Sequence, residues 1–323
     1  MMTLQVTAHL PKQGEFDLLT SPPLEEARRI LEDDSSGFIG NGSYLIGGAI
    51  LVPFANRIRG EMAPDRRTIR ADVGGRSVRL PANAGGRRPG AEQYAMHGLI
   101  LASRMDEVSR EITEERDVLR GSLQAADFGG SWVSDAALEF ENVLTGDSFT
   151  LTVTARNTGE EPLPMGIGWH PYFNLPSGRR EQARLHLPAR GRALVNNYDE
   201  VLPTGEVEPV AGTPYDFTMP GGRPLSDLYL DDCFVDLDRS NGELVAEIVD
   251  PAGSFGLRVT AASPPVAAVQ VYAPPEKGFV VLEPQLNRAD PFGPQWGGVD
   301  TGMMVLKPGG SVVYSARLEL FMP

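Results

Sequence analysis

The chain has 323 residues, a net charge of −14, and 36 glycines with 27 prolines, a composition that favours many turns and short strands over long helices. It contains no block of basic residues, which argues against nucleic acid or an anionic membrane surface as a partner. No apolar run is long enough to cross a membrane. The single cysteine, Cys233, excludes an intrachain disulfide, and the N-terminus lacks a signal-peptide pattern, so a cytoplasmic protein is predicted.

One short helix is predicted near the N-terminus. Ser21 is a candidate cap, Pro22 and Pro23 would open the helix, and the run from Leu24 to Leu31 would continue it. Strand-like runs bounded by Gly, Pro, Asn or Asp dominate the rest of the chain. Examples are residues 149–155, 244–249, 266–272 and 311–320, while residues 66–88 are interpreted as a hairpin and an exposed loop.

No internal repeat, low-complexity linker or change of composition marks a domain boundary. We therefore predict that residues 1–323 form a single all-β domain, a large antiparallel β-sandwich with one short N-terminal helix. Two segments, Asn157-Thr158-Gly159 and Ser240-Asn241-Gly242, are predicted to be hairpin tips.

The most informative segment runs from Gly168 to Leu175 and has the sequence GWHPYFNL. Strand alternation places Gly166, Gly168 and His170 on one face. Two glycines beside an imidazole would leave room for a flat ligand next to a proton carrier. Because the residue before a proline is held extended, His170 should stand on fixed backbone. Taken alone, a buried structural histidine is equally consistent with this pattern.

A lone carboxylate, Glu283, ends a second apolar strand, again directly before a proline. It shares a strand face with Phe279 and Val281, so it should be partly desolvated, which raises its pKa and makes it a better base near neutrality. A glutamate at the sheet rim, paired with an arginine, fits the same pattern. Since His170 and Glu283 occur in the same unusual setting, we predict that they act as general acid and general base.

Three further motifs carry weaker signals. Arg57, beside Asn56, offers several donors for hydroxyls or carboxylates, or alternatively for an inter-strand salt bridge. His97 precedes a glycine in a predicted loop. Asp231 or Asp232 could hold the vicinal hydroxyls of a sugar, or one of them could cap a turn.

Together these residues resemble the aldose 1-epimerase (mutarotase) family. The resemblance implies a galactose-mutarotase-like supersandwich with a sugar cleft on its concave sheet, and neither a metal nor an organic cofactor. The matching segments occur in the family's order and span most of the chain: Asn56-Arg57-Ile58, His97-Gly98, residues 170–175, Asp231 with Phe234, and Glu283-Pro284-Gln285.

The resemblance also implies a role for each matching residue. Glu283 matches the base that takes the proton of the anomeric O1, and His170 matches the acid that protonates the ring oxygen. His97 matches a histidine that hydrogen-bonds the ring or O1 region. Asn56, Arg57 and Asp231 are the predicted substrate-binding residues. After ring opening the C1 aldehyde rotates, and closure from its other face exchanges the roles of acid and base.

Two positions depart from the family pattern. The family often has Asp-His where this chain has Asp231-Asp232, and it usually has His-Gly-Gly where this chain has His97-Gly98-Leu99. These departures spare the predicted acid and base but leave the identity of the sugar open.

The predicted function is therefore an aldose 1-epimerase for a hexose or a related aldose, acting as a monomer or a homodimer. One alternative is a non-catalytic sugar-binding or sensory module on the same fold. Another is a hexose-phosphate epimerase, which requires an arginine cluster at the site. The candidates for that cluster are Arg57, Arg59, Arg66, Arg67 and Arg70.

Overall fold

The computed structural model describes residues 1–32, 45–262 and 266–323. Helix α1 spans Leu24–Glu32, as expected from the sequence, with Glu25 and Glu26 in its first turn and Arg29 in its last. Single-turn 3₁₀ helices span Arg180–Gln182 and Pro294–Trp296. Within the described residues no helix is long and apolar enough to span a membrane.

Most of the strand residues in the described part of the chain belong to two large antiparallel sheets. All strands are numbered β1 to β27 in chain order. The first sheet has eight strands, in the spatial order β1 (Met2–Thr3), β4 (Gly48–Leu51), β16 (Gly168–Asn174), β25 (Phe279–Gln285), β24 (Ala268–Ala273), β21 (Leu230–Leu237), β18 (Ala189–Val195) and β19 (Pro203–Pro209). This sheet carries the predicted acid and base.

The second large sheet has nine strands. Their spatial order is β11 (Glu107–Ile112), β12 (Arg116–Ala126), β13 (Ala136–Thr145), β14 (Ser148–Asn157), β27 (Ser311–Phe321), β23 (Phe255–Ala261), β22 (Leu244–Asp250), β17 (Arg184–His186) and β20 (Arg223–Pro224).

Four smaller antiparallel sheets complete the strands of the described residues. They are β2 (Thr7–Leu10) with β3 (Gly14–Asp17); β5 (Arg57–Ile58), β10 (Gln93–Met96) and β9 (Ala84–Gly85); β6 (Glu61–Met62), β7 (Thr68–Val73) and β8 (Arg76–Pro81); and β15 (Leu163–Met165) with β26 (Met304–Leu306).

The main hydrophobic core lies between the two large sheets. Trp169 and Phe173 of β16 are fully buried there, and the Trp169 ring lies 6.0 Å from that of Phe149 on β14. The Tyr314 hydroxyl of β27 donates across the core to the carbonyl of Pro284. Since strand residues alternate between faces, the core residues of β16 and β25 leave His170 and Glu283 on the opposite face of the sheet. The predicted all-β supersandwich with one short N-terminal helix is confirmed.

Neither predicted hairpin tip joins two paired strands. Residues 157–159 connect β14 of the nine-stranded sheet to β15, whose partner is β26, so the turn does not join two paired strands. Asn157 is instead fully buried, and its Nδ2 donates to the carbonyls of Glu161 and Leu306. The turn at Ser240-Asn241-Gly242 is tight and is closed by a bridge between Ser240 and Glu243, but it connects β21 of the eight-stranded sheet to β22 of the nine-stranded sheet.

Candidate active site

His170 and Glu283 lie opposite each other on neighbouring antiparallel strands. Gly168 of β16 pairs with Gln285 of β25, and Tyr172 pairs with Val281, so the same register places His170 across from Glu283. The His170 Nε2 is 3.7 Å from the Glu283 Oε2. Two residues 113 positions apart in the sequence are thus brought together on what we call the site face of the eight-stranded sheet.

Gly168 lies next to this pair, and a side chain at this position would collide with the residues of the site. An added Cβ would lie 2.9 Å from the Ala55 Cβ and 3.4 Å from the Glu283 Oε1. Gly166 does not leave the space for a ligand that the sequence suggested, because the amide oxygen of Asn287 occupies the space where its side chain would lie. Only one of the two glycines therefore leaves room beside the acid–base pair.

Burial controls the ionisation of both predicted catalytic groups. Glu283 is fully buried, and neither carboxylate oxygen has a hydrogen-bond partner in the protein. Burial raises the pKa of Glu283 well above its usual value, opposed by the Arg57 charge and reinforced by Asp231. Burial, with a smaller effect of Arg57, lowers the pKa of His170 to about 4. A proton shared by the pair therefore favours the carboxyl group over the imidazole.

His97 lies edge-on to His170, with 4.9 Å between the ring centroids. Its backbone has a φ of 63° and donates its N–H to the carbonyl of Asn56, which itself has a φ of 62°. Left-handed backbone is uncommon for residues other than glycine and needs support from its surroundings. The hydrogen bond between His97 and Asn56 holds both residues in this conformation. Burial, His170 and Arg57 lower the pKa of His97 well below its usual value, which keeps this ring neutral.

Arg57 and Asp231 are joined by a closed ring of polar side chains. The Arg57 Nη1 donates to the Asn56 Oδ1 (2.9 Å), and the Asn56 Nδ2 donates to the Gln270 Oε1 (2.9 Å). The Gln270 Nε2 donates to the Asp231 Oδ1 (2.7 Å), and the Asp231 Oδ2 lies 3.7 Å from the Arg57 Nη2. Arg57 and Asp231 keep 10% and 14% of their side-chain surface exposed, so this side of the site reaches solvent.

The charges in this ring support each other. Burial opposes the charge of Arg57, but Asp231, Tyr94 and Glu283 together raise its pKa. Burial raises the pKa of Asp231, and both Arg57 and the amide of Gln270 oppose that shift. Each ion therefore stabilises the charged state of the other.

Two members of the ring differ from the sequence-based picture. Asn56 is fully buried and its amide bonds to Gln270 and Arg57, so any effect on a ligand is indirect. Gln270 was missed, although it stands opposite Glu283 in the sheet. The sequence does contain a signal for Gln270, because it is the one polar residue in the apolar run from Val266 to Val271.

The structure separates the two adjacent aspartates. Asp231 lies on the site face, whereas Asp232 points to the opposite face, where its carboxylate accepts from the Arg192 Nη1 (2.8 Å) and the Tyr198 hydroxyl (3.0 Å). Asp232 also accepts the backbone N–H of Asp231 at 3.2 Å. Of the two, Asp231 is therefore the one that approaches Arg57.

Comparison with known proteins identifies the family of the chain. The family model described as aldose 1-epimerase matches residues 23–319. The chain belongs to the aldose 1-epimerase family.

Individual relatives of this family are distant. The Escherichia coli K12 protein named "Uncharacterized protein YphB" is 28% identical over 186 residues, which cover 55% of this chain and 57% of that protein. The chain thus matches little more than half the length of this curated relative.

Solved structures show the same fold. A galactose mutarotase-like protein from Clostridium acetobutylicum superposes with a TM-score of 0.73 at 17% identity, covering 95% of this chain and 86% of that one. A galactose 1-epimerase from Lactobacillus acidophilus gives a TM-score of 0.68 at 18% identity, covering 95% and 85%.

The arginines considered for a phosphate site do not gather around this aldose 1-epimerase-like centre. The Arg59 Nε lies 3.3 Å from the Glu92 carboxylate. Arg66 and Arg70 line two separate cavities of about 530 and 540 Å³, and neither cavity includes His170, Glu283, Arg57 or Asp231. Arg67 lies beside Arg66, where its backbone N–H donates to the Asp65 carboxylate. Of the five, only Arg57 contacts the site.

Leu99 departs from the family's usual pattern, so Gly98 is the one glycine left in this motif, and its position tolerates no side chain. Its φ is 78°, and an added Cβ would overlap the backbone carbonyl of Val52. We expect Gly98→Ala to destabilise the fold by about 2–4 kcal/mol, from overpacking and left-handed strain together. Gly90→Ala is the matched control, because Gly90 has a φ of 82° but open space around it. Urea unfolding measures both, and equal losses would contradict the predicted steric clash.

The lowered pKa of His170 predicts a pH-dependent stability. Its folded pKa of about 4 lies below the usual 6.5, so the unfolded chain binds more protons between these values. The stabilisation from neutral His170 is present above pH 6.5 and is lost as the pH falls towards 4, on the order of 3 kcal/mol in total.

In His170→Gln the free energy of unfolding should therefore fall less steeply than in wild type between pH 6.5 and pH 4. Chemical denaturation at a series of pH values measures this slope. His186→Gln controls for the loss of a histidine elsewhere, and parallel curves for wild type and His170→Gln would refute the prediction.

Proposed function

We propose that the protein is an aldose 1-epimerase that interconverts the α and β anomers of a hexose or related aldose. The observation that carries this proposal is the buried pair of His170 and Glu283, 3.7 Å apart on one sheet face beside Arg57 and Asp231. Membership of the family makes an isomerase the expected class of enzyme.

The chemistry needs one proton removed and one supplied. The reacting state of the pair is the less populated one, in which the shared proton has moved from Glu283 to His170. Glu283 as the carboxylate takes the proton from O1 while protonated His170 delivers one to the ring oxygen; the C1–O bond to the ring oxygen breaks, and a C1 aldehyde forms. Rotation about the C1–C2 bond and closure in the reverse sense give the other anomer. The pair carries one proton before and after the cycle, so it is reset without a co-reactant.

In this proposal the remaining residues hold the sugar. Arg57 and Asp231 present a donor and an acceptor to hydroxyls, and His97 hydrogen-bonds near the ring or O1. Asn56 and Gln270 act through Arg57 and Asp231, whose side chains they fix. Because these groups are already hydrogen-bonded to each other, little ordering is left for the moment of binding.

The test is anomer exchange measured by NMR or polarimetry on freshly dissolved aldoses, covering several hexoses and pentoses. We expect interconversion faster than in buffer, in proportion to protein concentration, for at least one sugar. Binding without acceleration would instead identify a non-catalytic sugar-binding module. Acceleration confined to sugar phosphates would favour the phosphosugar alternative. The positions of the arginines argue against that outcome, because only Arg57 of the five candidates contacts the site.

A further inference from the structure

The nine-stranded sheet ends in an unusually bare strand. All six residues of β11 are exposed, and in the described part of the chain β11 pairs on one side only, with β12. An edge strand of this length presents a row of backbone N–H and C=O groups that can pair with another chain.

An apolar strip accompanies this edge. Val108 and Ile112 of β11 are each 62% exposed, and Leu119 of β12 and Leu144 of β13 are 39% and 42% exposed. The registers place all four side chains on one face of the sheet. Pairing across successive strands aligns Val108 with Phe140, and aligns Ile112 with Leu144 and Phe149. This is the face that packs into the core further along the sheet, so the strip is a continuation of the core into solvent.

The sequence of β11, EVSREI, is self-complementary in one antiparallel register. A two-fold axis normal to the sheet leaves the same face of both copies on the same side. Because paired residues then point to the same face, their sequence numbers must differ by an even number. With the axis at Arg110, Val108 faces Ile112 of the second copy twice, and Glu111 faces Ser109. The axis also sets Arg110 opposite its own copy, and each of these arginines keeps its own counter-ion, since its Nη2 lies 2.9 Å from the Asp117 carboxylate.

The neighbouring registers are worse. An axis at Ser109 sets Glu107 against Glu111 and Val108 against Arg110, and an axis at Glu111 sets Arg110 against Ile112. Like charges directly opposite each other destabilise a sheet, and a charge opposite an apolar residue loses the apolar contact. Of these three registers, only the one about Arg110 sets the two apolar residues of β11 against each other.

We propose that β11 is the interface of a homodimer, in which two copies pair antiparallel about Arg110 and join their nine-stranded sheets into one. On the face of the strip, Val108 and Ile112 of each copy pack against Ile112 and Val108 of the other, so the strips of the two copies become one continuous apolar surface. The interface does not involve the acid–base pair, so it is independent of the proposed function.

Oligomeric state is the first test, by light scattering and analytical ultracentrifugation of the full chain. We expect a dimer in wild type, and Ile112→Glu to weaken association by roughly tenfold or more, since it places a charge opposite an apolar residue at two symmetric positions. Val305→Glu is the matched control, because Val305 is also 62% exposed but lies on β26. A monomer at all concentrations up to about 100 µM overturns the proposal.

Cysteine cross-linking tests the register itself. Arg110→Cys sets two thiols opposite each other, and Cα atoms in such pairs are about 4.5–5.5 Å apart, within disulfide range. We expect rapid oxidation to a covalent dimer for Arg110→Cys. Val108→Cys and Ile112→Cys should each fail alone but cross-link when the two variants are mixed. The native Cys233 is buried and serves as the background. A dimer without this pattern overturns the proposed interface.

Discussion

Glu283→Gln is expected to reduce catalysed anomer exchange by about 10³-fold, because glutamine has nearly the same shape as glutamate but neither takes nor supplies a proton. The size of the loss follows from the position of the carboxylate at the floor of the site, where it has no exposure and no hydrogen-bond partner in the protein. NMR exchange rates under saturating sugar measure the effect. Retention of the wild-type rate would remove Glu283 from the mechanism.

The same substitution should not weaken the fold. The folded pKa of Glu283 is raised, so its contribution to stability is present below the usual carboxyl pKa and is lost as the pH rises through the folded value. Glu283→Gln removes that loss, and its stability relative to wild type should increase towards alkaline pH. Glu141→Gln, on β13 beside Arg120, is a control that removes an exposed carboxylate outside the site. Thermal unfolding at several pH values separates a catalytic loss from an unfolded sample.

His170→Gln is expected to reduce the exchange rate by about 10²–10⁴-fold and to change the shape of the pH profile. The wild-type pair must hold one proton, so activity should fall at low pH as His170, with a pKa of about 4, takes up a second proton. It should fall at high pH as Glu283 loses the shared proton, above the ordinary carboxyl range because the Glu283 pKa is raised. These limbs belong to the pair and not to either residue alone.

The variant keeps only one titrating member of the pair, so the acid limb assigned to His170 should disappear from its residual activity. The double variant with Glu283→Gln should lose little more than the worse of the two single variants, because the residues act as a unit. Additive losses, or an unchanged profile in His170→Gln, would contradict the pairing.

The sequence predicted the strands whose residues alternate between apolar and polar, together with the helix at Leu24–Glu32, because these patterns are local. His170 and Glu283 were identifiable since each stands before a proline at an unusual place in an apolar strand. Their adjacency was not derivable from composition or spacing, because the register of β16 against β25 is a non-local pairing. The family resemblance supplied it.

Other features needed the coordinates. Asp231 and Asp232 look alike in sequence, and only the position of β21 between β18 and β24 decides that one faces Arg57 and the other Arg192. Gly166 carried the same apparent signal as Gly168, yet its space is filled by Asn287. The turn at Asn157 failed as a hairpin tip because Asn-x-Gly marks reversal of the chain but not which sheet the next strand joins.

The hydrogen bonds from Arg57 through Asn56 and Gln270 to Asp231 all run in one direction, from a cation to an anion. With the ends of this relay fixed by their charges, neither amide can turn over without setting two like atoms against each other. If the proposed function holds, the sugar meets a rigid set of donors and acceptors. Selectivity would then depend on which sugar already carries its hydroxyls in matching positions, and a new preference would require rebuilding the whole relay instead of exchanging one contact.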